Sequence, residues 1–424
     1  MDFIKKIVRT QLFRISSLNS VSVVIKIGIG LITSKVIAIY VGPAGMALVG
    51  NMRNFMTSVE SFATLGLNGG IIKSVAEHRD NPAKVNTIVA TLFMTLSSVA
   101  IITSCLLFFF AGYLNEQVFG AGFQYALIFK ALAVALPFYS VSIFLLAVIN
   151  GLGRFRNVIY VNIMGNVIGL LMSVALITQF NTLGALLSIV ITPSLLFFLT
   201  FYYISREFPF FKVVQQHKFD LSILKSLSSY SLMALFSSVF GAMVFLAIRK
   251  NIIAEIGIEA AGYWETMVRI SGYYLMFVTT LVTVYFLPKL AVAQQTSETR
   301  SVFLSYFKSI IPLFITGAVI IYLLRFFIIK TLFTAEFIAV ERLFIWQLAG
   351  DVFKVASFIL GYQFIAKKLT VAFIATEIMS LSVMFLLSYF LTANFGVEGV
   401  VMAHCFTFII YFGVLAGYFR KSIF

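Results

Sequence analysis

The chain alternates between long runs of apolar residues and short polar segments. Most apolar runs approach or exceed about 20 residues, the length at which an α-helix spans the hydrocarbon core of a bilayer. A window of that length, moved along the sequence, predicts twelve transmembrane helices. Their approximate limits are 15–40, 44–68, 85–111, 126–150, 157–179, 182–204, 223–247, 260–286, 302–326, 343–364, 370–391 and 399–419. The pattern therefore predicts an all-α integral membrane protein.

The composition agrees with that interpretation, because 61% of the residues are hydrophobic and only 11% are charged. A soluble protein of 424 residues does not have this balance. Residues 1–14 are basic and amphipathic, and no cleavage site for a signal peptidase follows the first apolar run. The net charge of +15 is interpreted as a topology signal, and no nucleic-acid partner is expected.

The distribution of lysine and arginine predicts the orientation of the chain. With the N-terminus inside, roughly two thirds of the 31 cations fall on the cytoplasmic side. A smaller group, which includes Arg249, falls on the opposite side of the membrane. Both termini are therefore expected in the cytoplasm, and the protein is expected in the bacterial inner membrane as a multi-pass protein.

The longest polar connection, 206–225, divides the chain into two halves of six predicted helices each. When the second half is shifted onto the first, Arg269 falls on Arg53 and Lys289 falls on Lys73. Parallel halves of this kind form one recurrent transporter plan, with the substrate site between them. We expect an N-terminal lobe over residues 1–210 and a C-terminal lobe over 211–424, around a central cavity.

The second predicted helix contains the polar residues Asn51, Arg53, Asn54 and Glu60. Arg53 lies about ten residues from either end of its span, too deep for its side chain to reach the headgroups easily. A charge at this depth costs roughly 3 kcal/mol or more unless it faces protein or water. The sequence therefore predicts a polar pathway through the middle of the protein.

Eight charged residues within spans are the candidate site, and each has two interpretations. Glu265 and Arg269, four apart, and Asp351 and Lys354, three apart, could be structural ion pairs between turns of a helix. Cations with too few acids to neutralise them favour a site for an anion such as phosphate. The candidate cations are Lys26, Lys35, Arg53, Arg269 and Lys354, and the acids, which could also exchange protons, are Glu60, Glu265 and Asp351.

Trp264 and Trp346 lie near the outer ends of two predicted helices. They could belong to an interfacial aromatic belt, or they could stack against a sugar. The three histidines have no zinc-binding spacing, so no metal site is expected. No nucleotide-binding loop or catalytic motif is recognisable, so the sequence predicts neither an enzyme nor a cofactor.

Several short motifs resemble those of the Wzx family of bacterial lipid-linked oligosaccharide flippases, and the resemblance covers about residues 16–419. The motifs are Ile25-Lys26-Ile27-Gly28, Val41-Gly42-Pro43-Ala44-Gly45, Asn51-Met52-Arg53, Lys73 with 78–82, 346–354, Gly361-Tyr362 and Ile365-Ala366-Lys367. The family is a branch of the multidrug/oligosaccharidyl-lipid/polysaccharide exporter superfamily.

The resemblance implies two lobes around a cationic cavity, lined by Lys26, Arg53, Arg269, Asp351 and Lys354. The implied cargo is undecaprenyl-diphosphate carrying one oligosaccharide repeat, of the O-antigen or enterobacterial common antigen type. The expected partners are this lipid, membrane lipids and the glycan polymerase and chain-length machinery, and a monomer is expected. The alternatives are a drug or organic-cation antiporter of the same superfamily, a lipid II flippase, and a membrane polysaccharide polymerase or ligase.

Overall fold

The computed structural model describes residues 11–208, 210–216 and 219–423, and these contain helices and no strand. The helices of the first half are α1 Gln11–Tyr40, α2 Gly42–Ala63, α3 Asn68–Glu77, α4 Pro82–Phe109, α5 Ala111–Phe119, α6 Ala126–Gly151, α7 Phe155–Glu207 and α8 Phe210–Gln216. Those of the second half are α9 Leu221–Glu255, α10 Ile258–Leu281, the π-helix Val282–Phe286, α11 Leu287–Val292, α12 Thr296–Leu323, α13 Arg325–Leu332, the 3₁₀ helix Ala335–Leu343, α14 Phe344–Ala366, α15 Thr370–Phe395, α16 Val397–Tyr418 and α17 Arg420–Ile423.

Ten segments of the described chain are long and apolar enough to cross a membrane. One of them, Phe155–Arg206, has 52 residues, and a non-helical backbone at Asn181 (φ 48°, ψ −124°) divides it into two helices. Helix α2 is 22 residues long but is not among the ten, because its polar residues lower its hydropathy. The all-helical membrane fold is confirmed, whereas the count of twelve spans stays a prediction.

Helix α2 ends at Ala63, earlier than the limit of 68 expected from the sequence. Leu65 and Gly66 have positive φ angles of 50° and 61°, which an α-helix cannot accommodate. A Cβ at Gly66 would lie 2.8 Å from the Cβ of Ala234, so the turn depends on glycine at this position. Asn68 then begins the separate helix α3.

The chain forms two compact units, and the division falls inside helices α1, α2 and α9. The first unit comprises residues 1–36 and 55–239, and the second comprises 37–54 and 240–424. The lobes expected over 1–210 and 211–424 stay a prediction. The N-terminal cations Lys5, Lys6 and Arg9 and the loop residue Lys218, which contribute to the expected orientation, lie outside the described residues.

Each unit has its own apolar core. In the first unit, α3, α4 and α6 bury residues such as Val75, Val89 and Phe144. In the second unit, α14 contributes Phe344 and Phe364, and the 3₁₀ helix contributes Phe337, all fully buried. These cores hold the transmembrane helices in fixed register, so that polar side chains from different helices can meet.

Candidate functional site

Within the second unit, helix α10 and the part of helix α2 up to Asn54 approach each other closely because glycines lie at their contacts. A Cβ at Gly262 would lie 1.9 Å from the carbonyl oxygen of Pro43. A Cβ at Gly50 would lie 2.4 Å from Oε2 of Glu265 and 2.8 Å from Cζ of Arg249. The absence of side chains at these two positions leaves room for a carboxylate and a guanidinium between the helices.

Glu265 is the centre of a buried ionic cluster in that space. Arg249 Nη2 donates to Oε2 of Glu265 at 2.6 Å, and Arg269 Nε donates to Oε1 at 3.2 Å. Arg249 Nη1 also donates to Oδ1 of Asn51 at 3.1 Å, and its guanidinium lies 5.1 Å from the centroid of the Trp264 ring. The ion pair expected between Glu265 and Arg269 is thus present, with a second arginine added.

The sequence places Arg249 on the outer side of the membrane, which stays a prediction, and it does not indicate that the side chain is buried. Its side chain is fully buried, because the ion pair and the Trp264 ring hold it inside the unit. Burial of Arg249 could hardly be predicted, since this residue is followed by Lys250 at the end of an apolar run, where topology cations are also found. The close approach of Gly50 could not be read from the sequence either.

Arg53 extends the cluster towards an accessible surface. Its side chain is accessible although protein atoms surround it densely, as for a residue that lines an internal space, and its electrostatic neighbours are Arg269, Glu265 and Tyr273. Three arginines therefore share one carboxylate, Glu265, in this part of the unit, which leaves a formal excess of two positive charges. An arginine at membrane depth is stabilised when it faces water or an anion.

Asp351, on α14, is the centre of a second buried network, which involves α10 and α16. Ser271 Oγ and Tyr274 Oη each lie 2.6 Å from Oδ2 of Asp351 and donate to it. His404 Nε2 lies 2.9 Å from Oδ1, and Gln347 Nε2 lies 3.2 and 3.3 Å from the two oxygens. The carboxylate is therefore fully surrounded by donors inside the protein.

The expected ion pair between Asp351 and Lys354 is not formed among the described side chains. The basic side chain in contact with Asp351 is His404 instead. Lys354 is half-buried and lies close enough to Asp351 for electrostatic interaction. Its Nζ lies 5.1 Å from the centroid of the Phe408 ring. His404 was not predicted as a site residue, because the spacing of the histidines was considered only for zinc binding. Its position as a single histidine in an apolar span could have indicated a buried polar contact.

In the first unit, Glu60 accepts a hydrogen bond of 2.6 Å from the hydroxyl of Tyr139. The same carboxylate interacts electrostatically with Lys26 on α1. Lys26 and Lys35 are both exposed. The structure therefore gives Glu60 a partner on α6 that its position in the sequence did not indicate.

The two tryptophans have different environments. Trp264 is only 1% exposed and stacks on Phe245 with the ring centroids 5.5 Å apart. Trp346 is half-buried, and its ring centroid lies 6.0 Å from that of Phe406. Trp264 thus packs inside the second unit beside Arg249, whereas part of the Trp346 side chain is accessible.

Of the eight candidate charged residues, those that are exposed all carry a positive charge. The three exposed residues are all cations: Lys26, Lys35 and Arg53. The three acids, Glu60, Glu265 and Asp351, are buried or half-buried, and each accepts hydrogen bonds from protein side chains. The accessible charge of this set is therefore positive.

Comparison with known proteins identifies the family of the chain and its fold. Residues 13–291 match the family described as polysaccharide biosynthesis protein. The chain is 28% identical over 410 residues to the lipid III flippase of Escherichia coli (strain K12), covering 96% of this chain and 98% of the flippase.

Two solved structures share the fold at low sequence identity. A transporter of the MOP superfamily from Pyrococcus furiosus superposes with a TM-score of 0.74 at 13% identity and covers 98% of each chain. The lipid II flippase MurJ, in an inward closed conformation, superposes with a TM-score of 0.69 at 16% identity, covering 96% of this chain and 87% of MurJ. The fold is therefore that of the MOP transporters.

Proposed function

The chain belongs to the polysaccharide biosynthesis protein family, and from that premise we propose that it is a flippase for lipid-linked oligosaccharides. Its cargo is undecaprenyl-diphosphate carrying one oligosaccharide repeat, of the O-antigen or enterobacterial common antigen type. The cargo moves from the cytoplasmic to the periplasmic leaflet of the bacterial inner membrane by alternating access. The similarity to a lipid III flippase over 96% of the chain supports this activity. Translocation alone changes no covalent bond, so the protein acts as a transporter and not as an enzyme.

The observation that carries the proposal is the sign of the accessible charge. A site for a diphosphate needs cations that the ligand can reach, and Arg53 is exposed beside an arginine-rich cluster. The acid of that cluster, Glu265, is buried and already binds two arginines. An anion that approaches Arg53 therefore meets a net positive field.

In this proposal Arg53 contacts the diphosphate, and Arg269, buried beside it, is the second candidate cation and adds positive charge to the site. A guanidinium offers a planar fork of donors that matches phosphate oxygens, and its hydrogen bonds to an anion are among the stronger ones in proteins. Glu265 holds the Arg269 side chain through Nε and so fixes the direction of its fork. Lys354, a mobile point charge on α14, supplies further attraction.

Lys26, Lys35 and Glu60 belong to the first unit, and we retain them as candidate residues of the pathway. Trp346, which is partly accessible, is the candidate for sugar contact. One or more of the three acids exchange protons during the cycle. The protein works as a monomer, has both termini in the cytoplasm and delivers its product to the glycan polymerase and chain-length machinery.

A test uses a bacterial strain that lacks its own flippase of this class. Arg53→Ala and Arg269→Ala are each expressed there, and surface glycan and the accumulated lipid-linked intermediate are measured. We expect both variants to lose most surface glycan, Arg53→Lys to retain part of it, and Arg342→Ala, at an exposed arginine outside the cluster, to match the unaltered protein. Full surface glycan from normally inserted Arg53→Ala and Arg269→Ala would contradict diphosphate binding by these residues.

The main rival is an organic-cation exporter of the same superfamily, since the fold is shared with multidrug transporters. Such a protein needs accessible acids, and the acids of this site are engaged by protein donors. A binding assay that compares a polyprenyl diphosphate with a cationic dye separates the two. We expect the diphosphate to bind and the dye to bind weakly or not at all.

A further inference from the structure

Arg249, on α9, is a charged residue whose side chain has no exposed surface. Three protein groups enclose its guanidinium: the carboxylate of Glu265, the amide of Asn51 and the ring of Trp264. Because it is enclosed, Arg249 cannot contact a cargo, and the diphosphate site described above does not include it. A buried ion pair is often no more stabilising than apolar packing of the same volume. Stability alone therefore does not explain an arginine at this position.

The two oxygens of Glu265 bind different arginines in different ways. Arg249 donates to Oε2 from a terminal nitrogen, Nη2, at 2.6 Å. Arg269 donates to Oε1 from Nε, the guanidinium nitrogen nearest its own backbone, at 3.2 Å. Short hydrogen bonds between a guanidinium and a carboxylate are among the strongest in proteins. The charge of Glu265 is therefore compensated chiefly by Arg249, while Arg269 is held by the inner edge of its guanidinium.

The net charge that an anion meets depends on this compensation. The cluster contains three arginines and the single carboxylate of Glu265, which is an electrostatic neighbour of Arg53. Without the guanidinium of Arg249, the excess would fall from two positive charges to one. The carboxylate would then act on Arg53 and Arg269 alone. Because buried charges are screened much less than charges at the surface, this change is felt at Arg53.

Arg249 also connects this carboxylate to the helix that carries Arg53. Its other terminal nitrogen, Nη1, donates to Oδ1 of Asn51 at 3.1 Å. Asn51 is 1% exposed and lies one residue apart from Arg53 on α2, with Met52 between them. The planar fork of one guanidinium thus binds α2 and α10 at the same time, which the single ammonium of a lysine does less well. Position 249 therefore affects where Arg53 lies as well as the field around it.

Trp264 covers the guanidinium of Arg249. The centroid of its ring lies 5.1 Å from Cζ of Arg249, and the ring stacks on Phe245 of the same helix as the arginine. An aromatic face attracts a cation at this distance, and the attraction is stronger where water is excluded. Trp264 thus holds the buried arginine beside Glu265 and Asn51, a contact that its position in the sequence did not indicate.

From these contacts we propose that Arg249 is a positioning residue of the diphosphate site. It compensates the carboxylate of Glu265 and anchors α2 through Asn51, without contacting the ligand itself. The positive charge of Arg53 and Arg269 is thereby left for the anion. This inference rests on the proposed function and names a residue that determines how strongly the site prefers an anion. Loss of Arg249 should lower the preference of the site for the more highly charged of two anions.

The test compares two probes that differ in charge, geranylgeranyl diphosphate and geranylgeranyl monophosphate. At pH 8 the diphosphate carries about one more negative charge than the monophosphate. Binding of each probe is measured with the full-length protein in phosphatidylcholine nanodiscs, for the unaltered protein and for Arg249→Met. The quantity compared is the ratio of the diphosphate affinity to the monophosphate affinity. A loss of folded protein lowers the binding of both probes together and leaves this ratio unchanged.

Three further variants separate charge from packing. Arg325→Met is the matched control, because Arg325 pairs with Glu341 at 3.1 Å in the same unit and lies over the ring of Tyr322. The double variant Arg249→Met/Glu265→Gln removes one charge of each sign and so restores the original net charge of the cluster. Arg249→Lys keeps the positive charge but loses the planar fork.

We expect Arg249→Met to bind the diphosphate about 10-fold more weakly than the unaltered protein and to lower the ratio about 3-fold, because a buried charge acts through a medium of low dielectric constant. Arg325→Met should change neither value. The double variant should recover the ratio of the unaltered protein. Arg249→Lys should keep that ratio and bind both probes more weakly.

An unchanged ratio in folded Arg249→Met would overturn the inference and leave the proposed function standing. A double variant with a ratio as low as that of Arg249→Met, or a fall of the ratio in Arg249→Lys, would overturn it as well. Absence of diphosphate binding by the unaltered protein would overturn the proposed function together with this inference.

Should Arg249→Met fail to fold, Arg249→Gln gives the same comparison, because its side chain is uncharged but can still donate a hydrogen bond to Glu265. The inference predicts the same fall in the ratio for Arg249→Gln. A ratio equal to that of the unaltered protein in this variant would overturn the inference.

Discussion

Neutralising Glu265 should destabilise the second unit more than neutralising any surface acid. The change Glu265→Gln keeps the size of the side chain but removes the carboxylate that the two buried arginines, Arg249 and Arg269, both bind. Removal of one partner from a buried ion pair costs about 3–5 kcal/mol, because the remaining charge is uncompensated. Glu265 is 4% exposed and bonded to two arginines at 2.6 and 3.2 Å, so we expect a loss in this range.

The matched control is Glu341→Gln, which breaks the ion pair between Glu341 and Arg325 in the same unit. That pair has a similar distance of 3.1 Å, but its side chains are 30% and 28% exposed. Pairs near the surface contribute about 0–1 kcal/mol, so the control should remain close to the unaltered protein.

The assay is reversible unfolding in mixed micelles, with a double-mutant cycle that adds Arg249→Met to Glu265→Gln. We expect the two changes together to cost less than the sum of the single changes, because each removes the partner of the other. If Glu265→Gln lowered the free energy of unfolding by no more than about 1 kcal/mol, like the loss of an exposed pair, the description of Glu265, Arg249 and Arg269 as a buried ionic cluster would be refuted.

Two further changes test the packing around the buried cluster and the pKa of Asp220 in the polar connection 206–225. Gly50→Ala places a methyl group in the space of the buried cluster, and we expect a loss of about 1–3 kcal/mol, whereas the control Gly272→Ala, which meets open space, should be neutral. Ser222 donates to the exposed Asp220 from its hydroxyl and its backbone N–H, and these bonds lower the pKa of that carboxyl below its ordinary value. The stability contributed by the ionised carboxylate is present above the ordinary pKa and is lost as the pH falls through the lowered one. Ser222→Ala should therefore move the pKa of Asp220 back towards its ordinary value, measured by NMR of the labelled carboxyl carbon, and an unchanged pKa would contradict the assigned cause.

The transmembrane helices could be predicted because an apolar run of membrane length has few alternatives to a helix in lipid. The charges within those runs could be predicted to be special for the same reason, since Arg53 and Glu265 are costly at that depth. Their partners could not be predicted, because a partner depends on which helices pack together. Tyr139 and His404 lie 79 and 53 residues from the carboxylates they contact, and Arg249, which binds Glu265 on the next helix, also contacts Asn51 198 residues away.

The boundaries were less predictable where the backbone departs from a helix for a local reason. Helix α2 stops at Ala63 because Leu65 and Gly66 adopt positive φ angles next to α9. A hydropathy window does not detect the end of helix α2, since the residues up to Leu67 remain mostly apolar. The requirement for glycine at position 50 is likewise a property of two helices in contact and not of either sequence segment.

We propose that this chain carries a diphosphate lipid across a membrane by means of accessible cations. The direct measurement is the translocation rate of a short-chain polyprenyl-diphosphate-linked saccharide in proteoliposomes, for the unaltered protein and for Arg53→Ala. We expect translocation that excess polyprenyl diphosphate inhibits and that Arg53→Ala slows at least 10-fold, which corresponds to about 1.4 kcal/mol in the free energy of activation. Transport of a cationic dye without translocation of the diphosphate lipid would contradict it.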